Sequence, residues 1–251
     1  MNIAIVPMGE SKLKTTMDVD SKLPWRKMST KLLVIALFTI PLSVALSAQT
    51  PPTDTNAYAV SSRTFDREDF GRPNSTVVSP DKSKTIRLMK DGSFAVLDGA
   101  SPVTNISVKE LASNIEVGWS PDSTQFFISW SNGGAIGVFV SRIFRIESGK
   151  VDELSAPQTA YEDFKIKHFC PQRGMNNEYV LGWSADSKDL FLVLEVYPSR
   201  ECKERSLFRG YLMEAATGVV LRVFSESDTN LIKDASRQAG FVTIPAKIKA
   251  R

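Results

Sequence analysis

The sequence predicts an all-β fold of repeated, four-stranded antiparallel meanders, and three observations predict it. One turn motif recurs at Asp81, Asp122 and Asp186. Short apolar runs that suit strands stand on both sides of each copy. Turn residues then punctuate the chain at hairpin spacing, as in Glu147-Ser-Gly-Lys150 and Ala216-Thr-Gly218.

The three copies are Thr76-Val-Val-Ser-Pro-Asp-Lys-Ser-Lys-Thr-Ile-Arg-Leu88, Val117-Gly-Trp-Ser-Pro-Asp-Ser-Thr-Gln-Phe-Phe-Ile-Ser129 and Leu181-Gly-Trp-Ser-Ala-Asp-Ser-Lys-Asp-Leu-Phe-Leu-Val193. Their turn aspartates lie 41 and 64 residues apart. A propeller blade takes roughly 40–50 residues, so the second spacing is one blade with an insertion. Within each copy a strand enters the turn and Phe126–Trp130 or Leu190–Val196 returns from it. Pro sets φ at a central turn position, while Asp and Ser accept hydrogen bonds from nearby amides. Trp119 and Trp183 fall at equivalent positions, where a large flat side chain packs between neighbouring sheets.

A third strand follows at Ser93–Leu97 in the first unit, and third and fourth strands at Gly137–Ile146 and Val151–Leu154 in the second and at Leu207–Glu214 and Val219–Phe224 in the third. A further strand is expected over 57–65, and helices only at 108–113 and 229–238. Three units are fewer than the four to eight of a typical closed propeller. Either 57–70 and 229–251 build a degenerate fourth unit, or the assembly is open or completed by oligomerisation. A β-sandwich whose hairpins share a turn motif is the alternative fold.

Val117–Ser129 and Leu181–Val193 resemble the WD40-like repeats of the TolB-type beta-propeller, whose hallmark is a strand, then Trp-Ser-Pro-Asp-Gly, then a strand. Residues 76–88 match with Val78 in place of Trp. All three copies depart from the pattern after Asp, where Lys82, Ser123 and Ser187 replace Gly. The resemblance implies a propeller-like architecture. It implies no particular activity, since such propellers serve as periplasmic scaffolds and as domains attached to peptidases.

The formal charge of +3 belongs to the leader. Residues 1–48 carry six bases (Lys12, Lys14, Lys22, Arg26, Lys27, Lys31) and three acids (Glu10, Asp18, Asp20), which leaves 25 of each in 49–251. A neutral chain gives no reason to invoke nucleic acid. Residues 32–46 form an uncharged apolar run preceded by Arg26, Lys27 and Lys31 and followed by Ala45, Ser47 and Ala48. The run is shorter than the ~20 residues of a membrane span, and Pro41 interrupts it. This order describes a secretory signal peptide. The expected organisation is an upstream extension over 1–27, a signal peptide over 28–48, a flexible tether over 49–70 and the β domain over 71–251. The mature chain is then expected in the periplasm or outside the cell, with no stable membrane insertion; retention of the run as an anchor is the alternative.

Few residues carry chemistry. His168 is the single histidine, and no Gly-x-Ser-x-Gly elbow accompanies it. Neither phosphate loop nor dinucleotide fingerprint nor metal-ligand spacing occurs, so no cofactor or metal is expected. Asp81, Asp122 and Asp186 are turn formers in separate repeats, and Trp130, leading into Ser131-Asn-Gly-Gly134, is the candidate exposed aromatic. Export permits a disulfide, and Cys170 and Cys202 are expected to form it. In a meander blade the segment entering the first strand and the loop after the second strand lie at one end, which brings both cysteines to the same side. Lys165, Lys167, Arg173, Arg200, Lys203 and Arg205 flank them and form a candidate anion-attracting surface. The expected function is a non-catalytic exported binding or scaffold module with a protein or envelope-polymer partner. An exported, hydrolase-like enzyme is the alternative.

Overall fold

The computed structural model describes residues 58–108, 114–131, 138–168, 176–196, 204 and 206–249. The chain divides into 1–47 and 48–251, and every described residue belongs to the second unit. The leader and both cysteines therefore lie outside the described residues.

The described residues are mostly β, arranged in three antiparallel sheets. The first is a meander of β2 (Thr76–Val78), β3 (Lys84–Leu88), β4 (Phe94–Asp98) and β5 (Ser101–Ile106). The second holds β6 (Asn114–Trp119), β7 (Gln125–Ser131), β8 (Phe139–Glu147) and β9 (Lys150–Leu154) in the same order. The third holds β10 (Asn176–Trp183), β11 (Asp189–Val196), β12 (Phe208–Glu214) and β13 (Val220–Phe224). Each sheet is one blade, and the expected propeller-like meander is the observed architecture, without closure into a ring.

The degenerate fourth unit is not formed by the segments proposed for it. From the first, β1 (Arg63–Asp66) adds to the inner edge of the second blade, with Phe65 opposite Ile115 and Asp66 opposite Asn114. From the second, Glu226–Ala239 form helix α2 and Ala246–Lys249 the short α3. Residues 58–70 are not tether either. The Val60 amide donates to the Leu181 carbonyl of the third blade at 2.9 Å, and a 3-10 turn at Arg67–Asp69 follows β1. Composition misleads here because the segment's polar groups bond to strand edges that are themselves short of partners.

Strand alternation sends side chains into two seams and one cap. On β7, Phe126 and Ile128 face the first blade, where Ile86, Leu88, Phe94 and Val96 meet them. Phe127 between them faces the third blade, packing with Val180, Trp183, Leu190 and Leu192. The far side of the third blade, Leu181, Phe191, Val193 and Phe224, is closed by Ile232 of α2 and by Val242 and Ile248. Helix α1 (Ala156–Lys167) was not expected. Its Pro157 at the first turn is a start signal, and Ala156, Ala160 and Phe164 recur every fourth residue as the stripe buried against the second seam. It fills the insertion between the second and third blades.

The turn motif performs two tasks. Locally, the Ser79 hydroxyl donates to Asp81 at 2.6 Å while accepting from the Lys84 amide at 2.9 Å; Ser120 and Ser184 repeat the pattern with Asp122 and Asp186. The residue after Asp adopts positive φ in every copy, 64° at Lys82, 63° at Ser123 and 62° at Ser187. Glycine is the usual residue there because a Cβ costs roughly 1–2 kcal/mol in that region. Here the side chain has a use. Ser187 accepts a hydrogen bond from the Asp122 amide of the preceding blade, and Ser123 from the Asp81 amide, both at 3.0 Å. Trp119 likewise reaches back, its Nε1 donating to the Val77 carbonyl at 3.2 Å. No described blade precedes the first one, and there the motif carries Lys82 instead of Ser and a half-exposed Val78 instead of Trp. The weak match of residues 76–88 thus falls on the end blade of the three described, where the motif has no described neighbour to grip.

Candidate functional site

The inner strands β6 and β10 end at the Ser-x-Asp turns. At the opposite, N-terminal end of β6 a pocket of about 540 Å³ opens, lined by Tyr58, Thr64, Phe65, Asp66, Asp69, Asn114, Ile115, Glu116 and Phe139. Pairing of β1 with β6 brings Asp66 beside Asn114. The Tyr58 ring stands edge-on to Phe139 at 4.9 Å and against Tyr179 at 4.6 Å, so aromatic surface forms one wall. Burial raises the Tyr58 hydroxyl's pKa, and the carboxylates of Glu195 and Glu116 add to the effect.

Each lining carboxylate also holds backbone. Asp66 caps the 3-10 turn by accepting from the Glu68 amide at 2.8 Å, and Asp69 accepts from the Asp66 amide at 3.0 Å. Glu116, buried, accepts from the Ala59 amide at 2.8 Å and from the Ser62 hydroxyl. These bonds fix the acids in place.

Behind the pocket a polar row crosses the second seam. Register sets Glu116, Ser129 and Ser141 side by side across the second blade. The Ser129 and Ser141 hydroxyls share a 2.7 Å bond, and Ser141 donates to the Glu178 carbonyl of the third blade at 3.0 Å. Asn176 and Glu178 occupy one face of β10. Both are buried, and Asn176 Oδ1 and Glu178 Oε1 have no hydrogen-bond partner among the described residues. Burial pushes the Glu178 carboxyl up to about 8, so it is neutral at pH 7.

The residues singled out from sequence sit elsewhere. Asp81 and Asp186 are held below the usual carboxylate range chiefly by the hydroxyls of Ser79 and Ser184. Burial opposes the same effect at Asp122, but bonds from Ser120 and Thr124 prevail. Trp130 is half-buried against the first seam. His168 caps α1, packs at a tilt against the Phe164 ring at 4.9 Å and bonds Glu204 through Nδ1 at 2.8 Å. Lys165 pairs with Glu162 at 3.6 Å and Lys167 with Asp163 at 2.9 Å. Arg173, Arg200, Lys203 and Arg205, like Cys170 and Cys202, lie outside the described residues. Sequence reasoning passed over Tyr58, Glu116 and Glu178. The available signal was a Glu inside an apolar strand in both Asn-Ile-Glu116-Val and Asn-Asn-Glu178-Tyr.

No family model and no curated protein matches the chain. Among solved structures it is similar to a proposed 6-phosphogluconolactonase from Bacteroides fragilis, with 12% identity over 60% of this chain and 38% of that one, at a TM-score of 0.31. It is also similar to hydrazine synthase from Kuenenia stuttgartiensis, with 16% identity over 64% of this chain and 42% of that one, at a TM-score of 0.28. The chain spans less than half the length of either, and the blade architecture above rests on its own strand pairings.

Proposed function

We propose that this chain is an exported, non-catalytic binding module of the cell envelope, related to TolB-type propellers, whose ligand seats in the pocket at the inner-strand ends. The observation that carries the proposal is the convergence of Tyr58, Phe65 and Phe139 with Asp66, Asp69 and Glu116 around about 540 Å³. Aromatic faces and fixed carboxylates together suit a positively charged group, which rings attract through their π faces. The leader supplies the address. The proposed Cys170–Cys202 bond would close segments leaving adjacent strand ends, since Asn176 lies opposite Val196 and His168 reaches Glu204. The carboxylate partners of Lys165 and Lys167 favour the acidic pocket over the basic loops as the ligand face.

Titration with an oligolysine and an oligoglutamate peptide of equal length, followed by intrinsic fluorescence at low and moderate salt, tests it. Oligolysine binding that weakens about tenfold in Asp69→Asn and in Tyr58→Ser, with melting temperatures retained, is expected. Equal binding of both peptides, or of wild type and variants, refutes it. N-terminal sequencing of the exported protein should start near Ala48 or Gln49.

A further inference from the structure

The turn that lines the acidic pocket has a second side. Asp66 and Asp69 line the pocket, while Gly71, Arg72 and Pro73 line a groove of about 400 Å³ whose other wall carries Arg87, Met89 and Lys90. The groove is basic where the pocket is acidic. The side chains of Arg87 and Lys90 make no ion pair or hydrogen bond among the described residues. Asp91, next to Lys90, is occupied by the Ser93 amide at 2.9 Å and the Ser93 hydroxyl at 2.6 Å. Arg72 is held by Glu68 at 3.4 Å and by Asp69 at 3.7 Å. Since Asp69 belongs to the pocket and Arg72 to the groove, that second ion pair is the boundary where the two meet. The backbone fixes the arrangement. The Arg72 amide donates to the Asp69 carbonyl at 3.1 Å, the Ser75 amide to the Arg72 carbonyl at 3.1 Å and the Leu88 amide to the Ser75 carbonyl at 2.8 Å. This chain of bonds runs from the rim of the pocket to β3, which carries Arg87. Gly71 is required for it, with φ at +74° and a position where a Cβ would stand 2.9 Å from Lys90 Cβ.

We propose that Arg87 and Lys90 form an anion-accepting extension of the ligand site, resting on the cation-binding reading of the pocket. The ligand is then a dipolar peptide segment that seats a basic group in the pocket and an acidic group in the groove. Adjoining fields of opposite sign select against a ligand of one sign, because like charges brought together cost binding energy. An oligocation that extends past the pocket meets Arg87 and Lys90, and an oligoanion that extends past the groove meets Asp66 and Asp69. A segment with both signs meets its complement on each side of the Asp69–Arg72 pair. About three extended residues, roughly 10 Å, suffice to separate its charges.

Two peptides with blocked ends test it, each with three lysines and a glycine, followed by three glutamates in one and three glutamines in the other. An acidic pocket alone binds the glutamate peptide more weakly, because that peptide has no net charge. With the groove, wild type should bind it about fivefold more tightly than the glutamine peptide, the scale of two exposed ion pairs. The double variant Arg87→Gln, Lys90→Gln should reverse that order, with circular dichroism and melting temperature as controls for folding. Peptides with the blocks in reverse order cover the opposite chain direction. A wild type that prefers the glutamine peptide in both directions overturns the proposal and leaves the cation-binding pocket standing. So does a double variant that keeps the wild-type preference. A wild type that binds none of the peptides overturns both the groove and the pocket as ligand sites.

Discussion

The two seams between blades start from the same motif and diverge below it. At the first, Trp119 donates to the Val77 carbonyl, and the core beneath is apolar from Ile86 and Val96 to Phe126 and Phe144. At the second, Trp183 is buried with no partner for Nε1 among the described residues. The core beneath is larger, with α1 inserted, but it gives way to the polar row of Glu116, Ser129, Ser141 and Glu178. The difference teaches that the motif sets the spacing of blades while other residues set how firmly each pair is held. Apolar contacts tolerate any pH; a neutral buried carboxyl does not. The pocket shares Glu116 with this polar row.

The sharpest break of this comparison uses neighbours on β7. Phe126→Ala empties the first seam and Phe127→Ala the second, and both side chains are fully buried. Each substitution should cost about 3–5 kcal/mol, measured by urea unfolding. If the blades fold as one unit, both variants unfold in a single transition. Separate transitions would show that the seams are independent.

Titration separates the seams next. The Glu178 carboxyl is raised from 4.5 to about 8, so the folded state holds a proton that the unfolded state releases. Stability should therefore fall as pH rises from 4.5 to about 8, with a slope approaching ~1.4 kcal/mol per pH unit from this group. Glu178→Gln should flatten that slope and melt higher than wild type at pH 8. An unchanged slope would move the proton elsewhere.

The inter-blade bonds at the turns sharpen the contrast between internal and end blades. Ser123→Ala strands the Asp81 amide and keeps the positive φ, so it should cost ~1–3 kcal/mol. Lys82→Gly relieves the same backbone with no bond lost and should stabilise by ~1 kcal/mol. Thermal unfolding with opposite signs for the two is the expected result. The smallest effect concerns the tryptophans. Trp119→Phe loses a made bond and Trp183→Phe an unmade one, so the first should cost about 1 kcal/mol more.

Strand alternation and turn chemistry are local properties, and the sequence by itself determined what depends on them. It placed every blade strand except β5, the Asp turns, the C-terminal helix and the equivalence of Trp119 with Trp183. Even the degraded first copy was legible, although its meaning as an end blade needed the positions of Ser123 and Ser187. Only tertiary structure decided what occupies the inner and outer boundaries. The strand expected over 57–65 forms as β1, but what anchors it was not legible, because the Leu181 carbonyl and the β6 edge lie some 50 to 120 residues away along the chain. Helix α1 was missed because its apolar stripe is only Ala156, Ala160 and Phe164, too narrow a signal until a seam exists to bury it. The pocket forms where Tyr58 and β1 meet the ends of β6 and β8, and Glu178 is buried where the third blade meets the second. A carboxylate's surroundings follow from contacts across blades, and no window of sequence contains them.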